Sequence, residues 1–169
     1  LPGEVPGILM TEEQLNDTEL ATSSFGMSFN TTMIQLGSAF SSMVNGGVYY
    51  EPHVVKEIRN ADGVVIERIE PRTVRNTISE ETSEFMRDAF YLTVQEGTAT
   101  AAKVEGYLIG GKTGTAETLP RGNKEYVVSF MGYAPANDPQ IAIYVVVDRP
   151  NVVGQDDAKY ATRIVRDIL

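Results

Sequence analysis

The sequence predicts an α+β domain in which helices pack against an antiparallel sheet, and three observations carry this prediction. The last third of the chain contains three strand candidates, at residues 107–117, 127–134 and 141–148. Three other segments space their apolar residues three and four positions apart, as amphipathic helices do. Finally, 169 residues with 42% hydrophobic content are enough for one core and too few for two.

The first half of the chain predicts one helix and one hairpin, after an opening (residues 1–29) dominated by turn signals. Asn30 or Thr31 is the expected cap of this helix, and Asn45-Gly46-Gly47 ends it with residues that tolerate positive φ. The hairpin joins residues 54–59 to residues 64–68 through a turn at 60–63. The expected inner face of the helix consists of Met33, Leu36, Gly37, Phe40, Met43 and Val44.

Two more helices flank the strands of the last third. The first starts at Thr77 or Ser79, because Thr77 and Glu80 have the spacing of a capping box, and it stops near Gly97. The last covers residues 157–169, and a turn at 137–139 predicts that the two strands beside it pair antiparallel. The expected inner faces are Phe85, Met86, Ala89, Phe90 and Val94 in the first helix, and Tyr160, Ala161, Ile164, Val165 and Ile168 in the last.

Charge and residue usage exclude several classes of function. The formal net charge is -9, from 14 basic and 23 acidic residues. Nucleic acid is therefore not an expected partner, because its affinity for proteins comes mostly from Lys and Arg on phosphates. The chain has no cysteine, which excludes disulfides, thiol catalysis and Cys-based zinc sites, and we expect neither a metal nor a cofactor. No apolar run approaches the ~18 residues of a membrane span.

One segment concentrates the residue types of an active site: Gly110-Gly111-Lys112-Thr113-Gly114-Thr115-Ala116-Glu117. Strand alternation sends Lys112 to one face and Thr113 and Thr115 to the other. Two neighbouring hydroxyls can hold a carboxylate, and the ammonium can supply charge or relay a proton. The glycines leave the backbone open to a ligand along the strand edge, where a free N–H can serve an oxyanion.

Residues 106–113 also match the phosphate-binding loop G-x-x-x-x-G-K-[ST]. That motif must follow a buried strand and open a helix whose N-terminus faces the phosphates. Residues 99–105 make a poor buried strand, and Gly114, Pro120 and Gly122 do not build a helix. We therefore do not expect an NTPase.

Lys112-Thr113-Gly114 also matches the Lys-Thr-Gly motif of serine acyl-transferases of the penicillin-binding and β-lactamase type. The flanking segments agree with that family in the right order: residues 96–99 before the motif, 130–135 and 141–148 after it, and 1–4, 24–35 and 45–47 upstream. Nearly the whole chain thus resembles the C-terminal part of the transpeptidase domain of class B high-molecular-mass penicillin-binding proteins.

The resemblance implies roles for the motif strand. Lys112, Thr113 and Gly114 would bind the substrate carboxylate and line the oxyanion hole. Thr115 would add its hydroxyl to the carboxylate site and its N–H to the oxyanion hole. Independently of the resemblance, the proximity of Ser129 and Glu117 to the motif along the strands predicts that both line the cleft rim, where Glu117 would contact substrate. The substrates would be D-Ala-D-Ala-type stem peptides of peptidoglycan, and β-lactams would acylate the same protein.

The serine nucleophile of that family is missing from this sequence. No Ser has a Lys three positions later, so no Ser-x-x-Lys motif is present. Ser28-Phe29-Asn30 imitates the family's Ser-x-Asn motif, but its position favours a helix cap at Asn30.

We therefore expect residues 1–169 to be a partial transpeptidase domain that is inactive alone and needs its N-terminal part as a partner. The parent protein is expected on the extracytoplasmic face of the bacterial membrane, held by an N-terminal anchor and working with the cell-wall synthesis machinery. The alternative hypothesis is a non-catalytic recognition or sensor module with the same fold.

Overall fold

Helices and strands follow one another through the part of the chain that the structure describes, residues 1–27 and 29–169 of a computed structural model. Within those residues no helix has the length and apolar character needed to cross a bilayer. The elements are α1 (Asp17–Ser23), α2 (Met33–Val44), β1 (Val48–Tyr50), β2 (Glu57–Arg59), β3 (Val65–Arg68), β4 (Thr73–Asn76), α3 (Glu80–Gln95), β5 (Gly110–Glu117), β6 (Tyr126–Ala134), β7 (Ile141–Asp148) and α4 (Lys159–Ile168).

A three-stranded antiparallel sheet in the order β5-β6-β7 forms the centre of the fold. The pairing of β5 with β6 is in register over the whole of β5, and that of β6 with β7 is equally regular. This confirms the predicted α+β class and the antiparallel pairing of the last two strands. The first strand starts at Gly110, not at residue 107, because residues 104–107 form a turn in which Tyr107 donates its N–H to the Val104 carbonyl (3.2 Å).

The side chains of β6 alternate between two apolar layers, as a central strand requires. Phe130 and Ala134 face the layer to which α3 and α4 contribute, whereas Met131 and Tyr133 face the layer to which α2 contributes. The sheet therefore lies between helices on both faces, and β5 and β7 are its two edges. The first layer is Val94, Ala99, Ala102, Ile109, Phe130, Ala134, Ala161 and Val165, and the second is Phe40, Val44, Met131, Tyr133 and Ala136.

Thr32 caps α2, so the predicted caps Asn30 and Thr31 are wrong. The Thr32 hydroxyl accepts the N–H of Gln35 at 3.1 Å, and the Gln35 side chain accepts the N–H of Thr32 in return. Asn30 is occupied elsewhere, in an isolated antiparallel bridge with Ile8. The end of the helix at Asn45 agrees with the prediction.

Ser79 caps α3, and Thr77, the other predicted start, has a different partner. The Ser79 hydroxyl accepts the N–H of Thr82 at 3.1 Å. The Thr77 hydroxyl instead donates to the Gly47 carbonyl (3.1 Å) and lies 3.0 Å from the hydroxyl of Ser42. Thr77 thereby joins the end of α2 to the start of α3, and the capping box with Glu80 does not form.

The buried faces of the helices are narrower than the sequence predicts. Met33 and Phe85 were expected to face inward but are exposed. In α4 the buried stripe runs through Thr162, whose hydroxyl donates back to the Ala158 carbonyl (3.3 Å). The predicted inner residues Ile164 and Ile168 are exposed because the buried face of α4 is rotated about the helix axis, by about one residue position, from the predicted face.

Several short elements carry too little apolar pattern for prediction. The predicted hairpin exists as β2 and β3, but its first strand is shorter than residues 54–59. The pair of β1 with β4 was not expected, and every residue of β4 is exposed. The seven-residue helix α1 buries no side chain, so only its cap at Asn16 marks it in the sequence.

Candidate functional site

Strand β5 presents its backbone on an open edge of the central sheet. Thr118, just beyond β5, donates its N–H to the Glu125 carbonyl at 2.8 Å, so its backbone groups face the β6 side. Backbone groups alternate sides along an antiparallel strand, and those of Thr113, Thr115 and Glu117 therefore point away from β6. Because β5 is the end strand of the sheet, these groups line its edge.

Lys112 lies on the opposite face of β5 from Thr113 and Thr115, as predicted. Lys112 is opposite Met131 in the register and so belongs to the α2 face, whereas Thr113 is opposite Phe130 on the other face. The exposed Lys112 side chain bends back to the strand edge, where its Nζ donates to the Thr113 carbonyl at 2.7 Å. The Lys112 ammonium and the hydroxyls of Thr113 and Thr115 therefore lie near the same stretch of the strand edge.

The hydroxyls of Thr113 and Thr115 both have protein partners. The Thr113 hydroxyl is 3.1 Å from that of Thr98, in the loop after α3. The Thr115 hydroxyl donates to the Asp156 carbonyl at 3.4 Å, in the loop before α4. Both contacts orient polar side chains that are partly or fully exposed, so a ligand can reach them from solvent.

Glycine is required in β5 where the strand meets β6 side chains closely. A Cβ on Gly111 would come within 2.3 Å of the Phe130 ring and 2.5 Å of the Met131 carbonyl. A Cβ on Gly114 would meet only the Ser129 hydroxyl, at 2.6 Å. Ser129 lies directly opposite Gly114 in the register of β5 and β6.

Glu117 is on the same face of β5 as Thr113 and Thr115, since the three are two residues apart. Its Oε1 accepts two backbone N–H groups of the following loop, from Gly122 at 2.9 Å and from Lys124 at 3.3 Å. A direct contact between Glu117 and a substrate would therefore use Oε2.

The structure contradicts a phosphate-binding loop at residues 106–113. Gly110 to Glu117 are strand, and the chain then turns into the antiparallel strand β6, not into a helix. No helix N-terminus follows Lys112 to face phosphates, which that motif requires. In the described residues no group of three His, Cys, Asp or Glu side chains is arranged to hold a metal ion.

Two cavities lie away from β5. One of about 500 Å³ is bounded by α2, by residues 48–53 and by β7, and one of about 970 Å³ by the first residues and segment 49–55. Both are lined by Glu51, Pro52 and His53. The candidate site lies outside both cavities, along a strand edge where the side chains of Lys112 and Thr115 are exposed.

Thr98 and the backbone of residue 156 were missed as site components. Thr98 is 15 positions before Thr113, and residue 156 is 41 positions after Thr115. Residues 96–99 matched the family as the segment that leads into the motif, but neither Thr98 nor residue 156 was predicted to contact it, because one is a single loop hydroxyl and the other contributes only its carbonyl. Ser28, part of the Ser28-Phe29-Asn30 triplet, lies outside the described residues.

Known proteins match the whole of this chain. The family model of the penicillin binding protein transpeptidase domain matches residues 1–169. Stage V sporulation protein D of Bacillus subtilis (strain 168) is 41% identical over 173 residues, which cover 100% of this chain and 27% of that protein. Probable peptidoglycan D,D-transpeptidase PenA of Neisseria gonorrhoeae is 30% identical over 157 residues, which cover 90% of this chain and 25% of that protein.

Solved structures agree with the sequence matches. Penicillin binding protein 3 from Mycobacterium tuberculosis, complexed with ampicillin, has a TM-score of 0.85 and 26% identity, and the match covers 99% of this chain and 40% of that chain. Its complex with aztreonam gives the same values. The chain therefore belongs to the penicillin-binding protein transpeptidase family, with class B relatives, which confirms the resemblance. It spans only 27% and 25% of the length of the two relatives named above.

Proposed function

We propose that this chain supplies the carboxylate-binding and oxyanion-binding wall of a peptidoglycan D,D-transpeptidase, which cross-links stem peptides by serine acyl transfer. The observation that carries the proposal is the row of Thr113, Thr115 and Glu117 on one face of an edge strand whose backbone groups are open to a ligand. The name of PenA and the β-lactam complexes of penicillin binding protein 3 support the same chemistry here.

Each residue of the motif has a proposed role. The hydroxyls of Thr113 and Thr115 bind the terminal carboxylate of a D-Ala-D-Ala-type peptide, with Glu117 at the rim of the groove. The Lys112 ammonium supplies positive charge or relays a proton at the strand edge. The Thr115 N–H donates to the oxyanion of the acyl-transfer intermediate, where one such donor is worth ~3 kcal/mol of barrier. Gly114 keeps the strand close to the Ser129 side chain.

The serine nucleophile of the proposed reaction belongs to another part of the protein. No Ser of this chain is followed by Lys at the third position, so residues 1–169 form a partial transpeptidase domain in the proposal. The remaining part of the domain and the cell-wall synthesis machinery are its partners. The reaction takes place on the extracytoplasmic face of the membrane, where an N-terminal anchor holds the protein.

Labelling with a fluorescent penicillin tests the proposal on the full-length protein and on this chain alone. We expect label on the full-length protein and none on the isolated chain. Thr113→Val should slow acylation roughly 10- to 100-fold, because it removes a hydrogen bond to a charged carboxylate. Thr73→Val is the matched control, an exposed strand threonine on β4, and should leave the rate unchanged.

Two outcomes would overturn the proposal. Absence of label on the full-length protein would favour the recognition or sensor module. Label on the isolated chain would show that the nucleophile lies within these 169 residues.

A further inference from the structure

The loop between β5 and β6, residues 118–125, is held in shape by the carboxylate at the end of the motif strand. Oε1 of Glu117 accepts the N–H of Gly122 at 2.9 Å and the N–H of Lys124 at 3.3 Å. Both residues have positive φ, 89° at Gly122 and 60° at Lys124. Lys124 is unusual in this respect, since residues other than glycine seldom adopt a positive φ without support from their surroundings.

Further hydrogen bonds connect other residues of the loop to one another. The Asn123 amide donates to the Thr118 hydroxyl at 2.8 Å and accepts the Glu125 N–H at 2.9 Å. The Thr118 N–H then returns to the Glu125 carbonyl at 2.8 Å. These bonds are local to residues 118–125, so Glu117 is the residue of β5 that ties the turn of the loop to the strand.

The position of this loop matters because of the strand from which it leaves. Glu117 is two residues beyond Thr115 on the same face, a distance of ~7 Å along a strand. The loop presents an exposed Leu119 side chain and the cationic side chains of Arg121 and Lys124. A ligand lying along Thr113 and Thr115 therefore meets the loop at the end of its groove.

We propose that Glu117 is a positioning residue, which through Oε1 fixes the 118–125 loop as the end wall of the substrate groove on β5. The inference rests on the proposed function, because the groove is the one assigned there to the stem peptide. It assigns to Glu117 the part of a hydrogen-bond acceptor, distinct from supplying negative charge to the substrate. Glutamine keeps a side-chain oxygen at this place and alanine does not.

The test uses the full-length protein with Glu117→Ala, Glu117→Gln and the control Glu125→Ala. Glu125→Ala removes a carboxylate from the same loop but not the acceptor of Gly122 and Lys124. In Glu117→Ala we expect amide hydrogen exchange of residues 118–125 to be at least ~10-fold faster, because two N–H groups lose their acceptor. Acylation by a fluorescent penicillin should slow roughly 10-fold, since a displaced wall misplaces the ligand.

The glutamine variant separates positioning from charge. Glu117→Gln should restore exchange protection and recover most of the lost acylation rate, with the melting temperature of all three variants near that of the wild type. Unchanged exchange in Glu117→Ala, or a Glu117→Gln variant as slow to acylate as Glu117→Ala, would overturn the inference. If the wild-type protein does not acylate, the proposed function and the groove fail with it, and the exchange measurement still decides whether Glu117 holds the loop.

Discussion

At the scale of single residues, Gly111 and Gly114 both allow β5 to pack closely against β6. The missing side chain of Gly111 leaves room for a buried ring and a backbone carbonyl, and neither can move away cheaply. The missing side chain of Gly114 leaves room for one serine hydroxyl, which can rotate. Adding a side chain at Gly111 should therefore cost more stability than adding one at Gly114, although both residues belong to the same motif.

We predict that Gly111→Ala destabilises the chain by ~2–3 kcal/mol, as overpacking against a fixed neighbour does, and that Gly114→Ala costs less than ~1 kcal/mol. Urea unfolding of the two variants measures the difference. Gly114→Ala serves as the control for any general effect of alanine in this strand. Equal losses of stability in the two variants would contradict the close packing of Phe130 over Gly111.

The sequence predicted the alternation of side chains along β5 better than it predicted the surroundings of that strand. Alternation alone placed Lys112 on one face of the strand and Thr113 and Thr115 on the other, because backbone geometry fixes the period of a strand at two residues. The partners of those hydroxyls were not predictable, since Thr98 and residue 156 approach β5 only after α3 and α4 have packed on the sheet. Glu117 could be placed at the end of β5 from the sequence, but its contacts with Gly122 and Lys124 depend on a loop shape that no motif encodes.

At the scale of elements, α2 and α3 are joined by a buried serine. The Ser83 hydroxyl, in the first turn of α3, donates to the Met43 carbonyl at 2.7 Å and accepts the Gly46 N–H at 3.0 Å. It thus satisfies both a carbonyl at the end of α2 and an N–H of the following turn. Nearby, Arg87 donates to the Val44 carbonyl at 3.1 Å, which extends the same junction.

We predict that Ser83→Ala lowers the free energy of unfolding by ~1–2 kcal/mol, because it leaves the half-buried N–H of Gly46 without its acceptor. Ser38→Ala, on α2, is the matched control and should change stability by less than ~0.5 kcal/mol. Thermal or urea unfolding of both variants gives the comparison. A Ser83→Ala variant as stable as the Ser38→Ala variant would mean that the junction contributes nothing to stability.

Elements with a strong apolar pattern were predicted well, and elements without one were not. The bounds of β7 agree with the predicted residues 141–148 because a continuous apolar run ends at turn residues on its N-terminal side and at charged residues on the other. The exposed strand β4 and the short helix α1 have no such pattern, so tertiary contacts alone decide them. The start of α3 was ambiguous because Thr77 and Ser79 are both good caps, and the approach of Gly47 decided between them.

At the scale of the whole molecule, the fold is a sheet between helix layers. The ionisation of the buried Tyr133 side chain depends on whether this fold is intact. Tyr133 is fully buried on the central strand, and its hydroxyl donates to the Arg87 carbonyl of α3 at 2.8 Å. Burial raises the pKa of Tyr133 from 10.0 to about 12, because the phenolate would lose its solvation. Its neighbours include the ring of Phe40 and the other apolar side chains of the layer to which α2 contributes.

The raised pKa of Tyr133 predicts a loss of stability at high pH. The folded chain holds the phenolic proton more tightly than the unfolded chain, so its contribution is fully present below pH 10 and declines as the pH rises towards about 12. The whole decline amounts to at most ~3 kcal/mol. Tyr133→Phe should remove this component and flatten the dependence of unfolding free energy on pH, measured in urea between pH 8 and 11.5. Tyr107→Phe changes an exposed tyrosine and should keep the wild-type dependence, so equal pH profiles for Tyr133→Phe and Tyr107→Phe would refute the coupling between this hydroxyl and the fold.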